Sequence, residues 1–246
     1  KAKSEIFAGL NKNGIGIINI DMPFMAMWKR ILDDKKVLIF GLDTEAYITA
    51  QDIQLDTASS HFMVKLDGEF HYINLPLTGI HNVANSLAAI AVCYALKIPA
   101  TAMIMGLAAM KSVPHRLQIR AGINQSQIVD DTYNANPASY KQALASLKNF
   151  SGEHWLILGD FGELGIESKS LHQKMGTDAR QAGIKRLFAI GENSQFAANA
   201  FGDGAIHFKD MDILQQQLQQ ELTDEVTCLI KGSRFMQLDK LADVLA

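Results

Sequence analysis

The sequence predicts an α/β fold in two domains, and three observations support this prediction. Four short apolar segments alternate with four amphipathic helical segments between residues 155 and 245, a pattern typical of a parallel sheet covered by helices on both faces. The part before residue 113 instead combines β-rich runs with alanine-rich helical segments. With 246 residues, the chain has the length of two ordinary domains.

The composition restricts the class of protein. Lys and Arg number 23 against 26 Asp and Glu, a net charge of −3, so no basic excess attracts a polyanion and we expect no nucleic-acid partner. Hydrophobic residues make up 48% and charged residues 20%, which indicates a globular chain with an ample core. Cys93 and Cys228 are too few for a disulfide framework, which favours a reducing, cytoplasmic location.

The apolar segments and the first residue give three further expectations. No uninterrupted apolar run reaches the roughly 18 residues of a membrane span, so we expect none, and nothing at the N-terminus resembles a signal peptide. The chain begins with Lys1, before which a start methionine is not normally removed, so we expect it to be part of a longer protein. We also expect that protein to be monomeric.

The first half has strand-like patterns followed by helical ones. Asp67 and Gly68 lie between two alternating segments, which is the strongest short-range signal for a hairpin. Pro99 suits the first turn of a helix. We therefore predict strands at 14–20 and 36–40, a helix at 24–32, hairpin strands at 62–66 and 70–72, and helices at 82–96 and 100–110.

Val113 and Pro114 end the last of these helices and mark the predicted boundary between domains at 1–112 and 113–246. Asn136 and Pro137 are typical of a helix start. After the boundary we predict hairpin strands at 117–119 and 127–130 and a helix from 137, then strands at 155–158, 186–190, 205–208 and 226–230 and helices at 167–182, 194–201, 211–221 and 235–245. Ligands of such a sheet bind at the carboxyl ends of its strands.

Several catalytic motifs are absent from the sequence. It contains no G-x-x-x-x-G-K-[ST] phosphate loop and no G-x-G-x-x-G before a helix, and it lacks C-x-x-C, H-E-x-x-H and G-x-S-x-G. These absences argue against a metal–thiolate site, a zinc protease and a serine hydrolase.

Two acidic segments follow predicted strands. Asp130 and Asp131 are adjacent, and keeping the second one charged requires a cation, a sugar hydroxyl or Mg²⁺ nearby. The alternative is that Asp131 caps a turn. The other segment, 159–165, contains Asp160, Glu163 and three glycines, and its alternative is an ordinary strand-to-helix loop.

Cationic residues follow the last predicted strand and the domain boundary. Lys231, Ser233 and Arg234 offer two cations and a hydroxyl at a helix start, a composition that suits an anion, although an ordinary loop remains the alternative. Arg116 could contact a phosphate or could be a solvated linker residue. Because the carboxyl ends of parallel strands share one edge, we expect the three strand-end loops, after residues 129, 158 and 230, to converge.

Asn82 and Asn85 lie three residues apart at the start of the alanine-rich helix and therefore share a face. Their two amides could bind one planar ligand such as a purine edge. The alternative is that Asn82 caps the helix and that one asparagine is buried.

Seven motifs, in this order along the chain, together resemble the Mur ligase family. They are Ala2-Lys3-x-Glu5-Ile6-Phe7, Asn19-x-Asp21, Gly79-x-His81-Asn82-x-x-Asn85-x-Leu87-Ala88-Ala89, Pro114-x-Arg116, Asp130-Asp131-x-Tyr133-Asn134-Ala135-Asn136-Pro137, Gly159-Asp160-x-x-Glu163-Leu164-Gly165 and Lys231-Gly232-Ser233-Arg234. The blocks at 130–137 and 231–234 are similar to the D-alanyl-D-alanine-adding branch, the MurF type. Ile20 and Phe161-Gly162 depart from the usual pattern, and because these residues are apolar or small, the departures concern local shape and not the chemistry.

The resemblance implies a remainder of a central ATPase domain, without its phosphate loop, followed by a Rossmann-like C-terminal domain with a mainly parallel sheet. It implies an ATP-dependent ligase of peptidoglycan synthesis with Mg²⁺ as cofactor. UDP-N-acetylmuramoyl-tripeptide and D-Ala-D-Ala would be its substrates, joined through an acyl phosphate. Because the phosphate loop would precede Lys1, we expect the chain alone to be inactive.

The resemblance also implies roles for single residues. The catalytic residues would be Lys3, which would bind Mg²⁺ if carbamylated, Arg116 on the γ-phosphate, and Asp131 on the ribose or phosphate side. The residues around the adenine end of ATP would be Asn19, Asp21, His81, Asn82 and Asn85. The residues facing the peptide substrates would be Tyr133, Asn134, Asn136, Asp160, Glu163, Lys231, Ser233 and Arg234.

Three alternatives remain open at this point. The chain could come from a Mur-type ligase that adds another amino acid, from a folylpolyglutamate-type ligase, or from a non-catalytic nucleotide-binding module. The Tyr133–Asn136 block argues against the first two.

Overall fold

The structure, a computed structural model, describes residues 2–42, 45–111 and 113–246, without the side chains of Ala2 and Lys3. The chain divides into two compact units, Lys1–Lys111 and Ser112–Ala246, called unit 1 and unit 2 below; the predicted boundary is at 113. Within the described part of the chain, no helix has the length and hydropathy needed to cross a membrane.

The described residues of unit 1 form a five-stranded sheet and three α-helices. A 3₁₀-helix at Ala2–Gly9 precedes β1 (Ile15–Asn19), α1 (Met25–Ile31), β2 (Lys36–Gly41), β3 (Ile48–Leu55), β4 (Ser60–Leu66), β5 (Glu69–Leu75), α2 (Ile80–Ala95) and α3 (Ala100–Ala108). The strands lie in sequence order, β1 to β3 parallel and β3 to β5 antiparallel. The predicted hairpin at Asp67-Gly68 and both predicted alanine-rich helices are confirmed.

The core of unit 1 lies between its sheet and α2 and α3. Ile48, Val64 and Leu75 are fully buried on the sheet, and Val83 and Leu87 are fully buried on α2. The last two residues are four apart and so lie on one face of the helix. Packing of this apolar face against the sheet holds α2 in place.

In unit 2, residues 113–246 form a six-stranded sheet and five α-helices. In chain order its elements are β6 (Gln118–Ala121), β7 (Gln127–Asp131), α4 (Pro137–Ser146), β8 (Glu153–Gly159), α5 (Ser168–Gln181), β9 (Arg186–Ile190), α6 (Ser194–Phe201), β10 (Ala205–Phe208), α7 (Met211–Glu221), β11 (Val226–Lys231) and α8 (Leu238–Leu245). The strand order is β10-β9-β8-β11-β7-β6, and only β6 is antiparallel to its neighbour. The predicted mainly parallel sheet is confirmed.

Two apolar clusters cover the two faces of the unit 2 sheet. Leu156 and Leu158 of β8 belong to the cluster with α4, α5 and α6, whereas Trp155 and Ile157 belong to the cluster with α7 and α8. Successive strand residues point to opposite faces, so a run of buried residues along β8 is what a sheet covered on both sides requires.

One strand was missed by the sequence analysis, and one predicted helix start is wrong. The strand β3 at Ile48–Leu55 was not predicted. It contains a bulge between Gln51 and Gln54, with Asp52 at a φ of 52°. Its C-terminal half is largely exposed. The last helix begins at Leu238, not at 235, because Gln237 has a left-handed φ of 52° and separates a 3₁₀ turn from the α-helix.

Candidate active site

The carboxyl-terminal edge of the unit 2 sheet brings two predicted site residues into contact. The register of β11 against β7 pairs Lys231 with Asp131. The Lys231 ammonium donates to Oδ2 of Asp131 and to the carbonyl oxygen of Asn134, the latter 3.2 Å away. Because Lys231 is 0% exposed, its charge has lost its hydration and needs this partner. The ion pair therefore fixes the Asp131 carboxylate at the edge of the sheet.

The second oxygen of Asp131 accepts a hydrogen bond from the Leu117 amide at 3.3 Å. Asp131 thus has the cationic partner that its charge requires, and its second oxygen connects β7 to a residue 14 positions earlier in the chain instead of capping a turn of its own. The separate proposal that Asn136 caps the following helix agrees with the structure. Oδ1 of Asn136 accepts from the Ser139 amide at 2.9 Å, and the Ser139 hydroxyl completes a capping box.

Asp130 is fully buried and has partners different from those of Asp131. Its Oδ2 lies 2.8 Å from Nδ1 of His115 and 3.4 Å from Nη1 of Arg120. Its Oδ1 accepts from the amide and the hydroxyl of Thr132 at 3.2 and 2.7 Å. Adjacent residues on a strand point to opposite faces, so each carboxylate has its own donors, which offset their mutual repulsion.

Two arginines lie near one aromatic ring at the same edge. The guanidinium carbon of Arg116 is 4.4 Å from the centre of the Tyr133 ring, and that of Arg234 is 5.9 Å away. All three side chains are exposed, and Arg234 also lies 3.4 Å from Asp239. A guanidinium stacked on a ring keeps N–H donors in its plane that can bind an anion. Arg116 therefore has an aromatic contact, and its binding to a phosphate stays a prediction.

Asp160 connects three loops at this edge. Its carboxylate accepts from the backbone amides of Asn193 and Ser194 at the start of α6, at 3.0 and 2.7 Å. Its carbonyl oxygen accepts from the Ser233 amide at 3.0 Å, and the Ser233 hydroxyl accepts from the Gly162 amide at 2.8 Å. Asp160 and Ser233 are both buried. In this structure they position loops, and their predicted contact with substrate stays a prediction.

His172 on α5 is a site-supporting residue that the sequence did not indicate. It is fully buried, its Nε2 accepts from the Phe161 amide at 3.1 Å, and its Nδ1 lies 2.7 Å from the carbonyl oxygen of Ser168. Since Nε2 is an acceptor, Nδ1 carries the proton and donates to that carbonyl. His172 thereby fixes the loop after β8, which carries the exposed Glu163 at a left-handed φ of 62°.

In unit 1, Asn19 and Asp21 lie at the carboxyl ends of the parallel strands. Oδ1 of Asn19 accepts from the Asp21 amide at 2.8 Å, and Oδ2 of Asp21 accepts from the Leu42 amide at 2.8 Å. Asp21 thus connects the residues that follow β1 and β2. Its side chain is exposed.

The start of α2 is organised around Gly79, which has a φ of 100°. A Cβ atom there would lie 2.6 Å from Cε1 of His81, so the imidazole packs directly on the glycine. Nδ2 of Asn82 donates to the carbonyl oxygen of Thr78 at 2.8 Å. Gly79, not Asn82, is the N-cap residue of the helix, and Asn85 is exposed, so the alternative of a capping Asn82 and a buried asparagine is wrong.

The predicted metal ligand Lys3 has a side chain outside the described residues. Among the residues that the structure describes, no group of three or more His, Cys, Asp or Glu side chains could hold a metal ion.

Unit 1 also contains a cavity of about 590 Å³ whose lining includes Ile15, Lys36, Tyr94 and Lys97. Ile15 and Lys36 are the first residues of β1 and β2. The cavity therefore lies at the edge of the sheet opposite to Asn19, and it contains none of the predicted site residues.

Two family comparisons cover most of the chain. Residues 1–93 match the Mur ligase middle domain, and residues 115–234 match the Mur ligase glutamate ligase domain. The chain belongs to the Mur ligase family. The family resemblance seen in the sequence motifs is thereby confirmed, and the residues at the edge of the unit 2 sheet lie in the glutamate ligase domain of a Mur ligase.

The Mur ligase chain spans about half the length of the curated relatives it matches. An Escherichia coli protein is 35% identical over 249 residues, covering 100% of this chain and 55% of the relative. A Buchnera aphidicola protein is 34% identical over 247 residues, covering 100% and 54%. Both are named UDP-N-acetylmuramoyl-tripeptide–D-alanyl-D-alanine ligase. A solved structure of MurF from Acinetobacter baumannii is 28% identical with a TM-score of 0.88, covering 99% of this chain and 54% of that one.

Proposed function

We propose that the protein containing this chain is an ATP-dependent ligase that joins D-Ala-D-Ala to UDP-N-acetylmuramoyl-tripeptide. The observation that carries the proposal is the pair of arginines, Arg116 and Arg234, near the Tyr133 ring. Tyr133 follows Asp131, which forms the buried ion pair with Lys231, by two positions in the chain. This edge combines positive charge for a phosphoryl group with an exposed aromatic surface for a peptide. The names of the Escherichia coli and Buchnera relatives support the choice of substrates.

The reaction has two steps in this proposal. A carboxylate oxygen of the tripeptide attacks the γ-phosphorus of ATP, ADP leaves, and an acyl phosphate forms. The amine of D-Ala-D-Ala then attacks the acyl carbon, the bond from carbon to the phosphate oxygen breaks, and the nitrogen loses a proton as the amide forms. Negative charge is concentrated on the phosphoryl oxygens in both steps, and fixed cations stabilise it. Arg116 supplies such a cation through the N–H groups of its stacked guanidinium.

The predicted substrate residues fall into two groups by burial. The exposed side chains of Tyr133, Asn134, Glu163 and Arg234 would contact the peptide substrates directly, together with the exposed cap residue Asn136. The buried side chains of Asp160, Lys231 and Ser233 would act by holding the loops that carry the first group. Asp131 would accept a hydrogen bond from a ribose hydroxyl or from a water molecule, through carboxylate lone pairs that do not bind Lys231 or Leu117.

The nucleotide base would bind to unit 1 through Asn19, Asp21, His81, Asn82 and Asn85. Asn85 is exposed, and Asn82 keeps its side-chain oxygen as an acceptor while its Nδ2 is used by Thr78. Amide groups of this kind suit the donor and acceptor pattern of a purine edge.

Magnesium bound to the nucleotide would offset charge on the phosphates. The described residues do not form a metal site of their own, and no step above is assigned to the ion. Carbamylated Lys3 as a ligand stays a proposal about a side chain outside the described residues. A cytoplasmic, monomeric protein is also part of the proposal.

The test is ligation by the longer protein that includes these 246 residues. UDP-N-acetylmuramoyl-tripeptide, ATP and D-Ala-D-Ala are combined, and the pentapeptide product and released phosphate are measured by mass spectrometry and a phosphate assay. We expect product only when all three are present. We expect none when L-Lys or D-Glu replaces D-Ala-D-Ala, and none when a folate and L-Glu replace the tripeptide nucleotide and D-Ala-D-Ala.

Product with another amino acid or with folate would establish one of the alternative ligases. Nucleotide binding without any product would establish the non-catalytic module. The prediction that the 246-residue chain alone does not turn over ATP is tested in the same assay, and phosphate release at the rate of the longer protein would contradict it.

A further inference from the structure

The segment 114–117, called the arginine loop here, holds Arg116 between two residues with left-handed backbone conformations. His115 has a φ of 63° and Leu117 a φ of 48°. Residues other than glycine rarely adopt this region, and they do so where neighbouring contacts impose it. The conformation around Arg116 therefore needs external anchors.

Three backbone or ring contacts anchor the arginine loop to residues 130–133. The Leu117 amide donates to Asp131 at 3.3 Å. The Tyr133 amide donates to the carbonyl oxygen of His115 at 3.0 Å. The third contact is a hydrogen bond of 2.8 Å between Nδ1 of His115 and Oδ2 of Asp130. The first of these is long for an N–H···O bond, and the last is short and involves a carboxylate, which makes it the strongest.

We propose that Asp130 and His115 are positioning residues that hold Arg116 on the Tyr133 ring for catalysis. Asp130 is fully buried and is itself oriented by Thr132 and Arg120, so the His115 ring bonds to a fixed acceptor. The imidazole in turn fixes the backbone from which Arg116 extends. The inference rests on the proposed function, because it assumes that Arg116 acts on the phosphoryl group.

The experiment measures kcat and KM of the longer protein with single and double variants. His115→Ala is expected to lower kcat by about 10²-fold, the effect of a misplaced catalytic group, with KM for D-Ala-D-Ala little changed. His115→Asn is expected to restore kcat to within about 3-fold of the wild type, because asparagine places an N–H close to the position of Nδ1 and tolerates a left-handed φ. Asp130→Asn should resemble His115→Ala.

A double-mutant cycle separates positioning from a general structural effect. If His115 acts through Arg116, then His115→Ala causes no further loss of kcat in an Arg116→Ala background. A loss of equal size in both backgrounds would overturn the inference, as would wild-type kcat in His115→Ala. His154→Ala is the matched control, because His154 is also half-buried in unit 2 and bonds through one ring nitrogen to Phe150, 3.1 Å away; its kcat should be unchanged.

A spectroscopic measurement keeps this inference distinct from the proposed function. Failure of the wild-type protein to form product would reject the function. In that case the Nε–H signal of Arg116 and the ring signals of Tyr133 in NMR spectra still report the stacking. Shifts of these signals in His115→Ala, but not in His154→Ala, are expected, and unchanged signals would overturn the inference.

Discussion

At the scale of single residues, the arrangement of charge around Asp130 and Asp131 explains how two adjacent carboxylates persist on one strand. Asp131 is paired with the Lys231 ammonium, and Asp130 contacts the His115 imidazole and the Arg120 guanidinium. An isolated buried charge would be strongly unfavourable. Pairing on opposite faces of β7 therefore allows both charges at the edge where the proposed chemistry occurs.

Lys231→Met is expected to destabilise the chain by about 3 kcal/mol, because it leaves the Asp131 carboxylate without its cation in a largely buried position. The free energy of unfolding is measured by urea denaturation. Adding Asp131→Asn to the Lys231→Met variant should recover part of the loss, since an amide leaves no charge unpaired.

Lys174→Met provides the control for that prediction. Lys174 forms an exposed pair with Asp178 at 3.1 Å, and its side chain is 57% exposed, so its removal should change the stability by no more than about 0.5 kcal/mol. Equal effects of Lys231→Met and Lys174→Met would contradict the view that burial makes the first pair important.

At the scale of elements, glycines determine how two helices begin and pack. Gly79 starts α2 with a φ of 100°, and Gly176 of α5 lies so close to α6 that an added Cβ would be 2.0 Å from the carbonyl oxygen of Ala197. Glycine suits Gly79 because the backbone there has a positive φ, and it suits Gly176 because there is no room for a side chain.

Gly79→Ala is expected to lower the stability by about 1–3 kcal/mol, because alanine is strained at this φ and its Cβ meets the His81 ring. Gly106→Ala is the control. Gly106 lies inside α3 with nothing within 4 Å of an added Cβ, so the substitution should stabilise by about 0.5–1 kcal/mol. Thermal unfolding measures both, and stabilisation by Gly79→Ala would contradict the argument.

Gly176→Ala is expected to destabilise by about 3 kcal/mol, since the methyl group must push α5 away from the backbone of α6. Urea denaturation measures the loss, and Gly106→Ala again serves as the helix-interior control. A change of less than about 0.5 kcal/mol would show that the two helices can separate without cost, in conflict with close packing.

At the scale of the whole molecule, unit 2 has the features of an independent domain. Its sheet is covered on both faces by apolar clusters formed from its own residues, with Leu156 and Phe188 fully buried in them. A domain with its own core can fold alone.

A fragment of residues 113–246 is therefore expected to unfold in a single cooperative transition, with coincident curves from far-UV and near-UV circular dichroism. Retained far-UV signal without near-UV signal would indicate a molten state and would contradict the prediction. The Leu156→Asp variant of the same fragment is the control and should not fold, because it places an unpaired charge in the core.

Much of the fold could be predicted because its signals are local. Strand–helix alternation predicted the strands of unit 2, and Asp67-Gly68 predicted the hairpin of unit 1. The strand β3 was missed because it carries a bulge and exposed polar residues in its C-terminal half, which removes the alternation. The start of the last helix was misplaced because nothing in the sequence around Gln237 indicates a left-handed residue.

The residues of the candidate site also fall into those that the sequence indicated and those that it did not. The motifs indicated Arg116, Asp131 and Lys231, and the register of β11 on β7 brings the last two into contact. His115 and His172 were not indicated, because their roles depend on Asp130 and Phe161, which reach them only after the chain has folded. Side-chain partners that are distant in sequence leave no local pattern.

By itself, the sequence determined the α/β class, the two-part organisation, the order of the strand-end loops and the Mur ligase resemblance, because these depend on periodicity and on motifs within short segments. Only the tertiary structure decided which charges pair and which loop residues are buried. The strand order places β11 between β7 and β8, and that arrangement joins Lys231 to Asp131 across a sequence separation of 100 residues. Such a contact is set by packing and hydrogen bonding of the whole sheet, a long-range property that no local segment encodes.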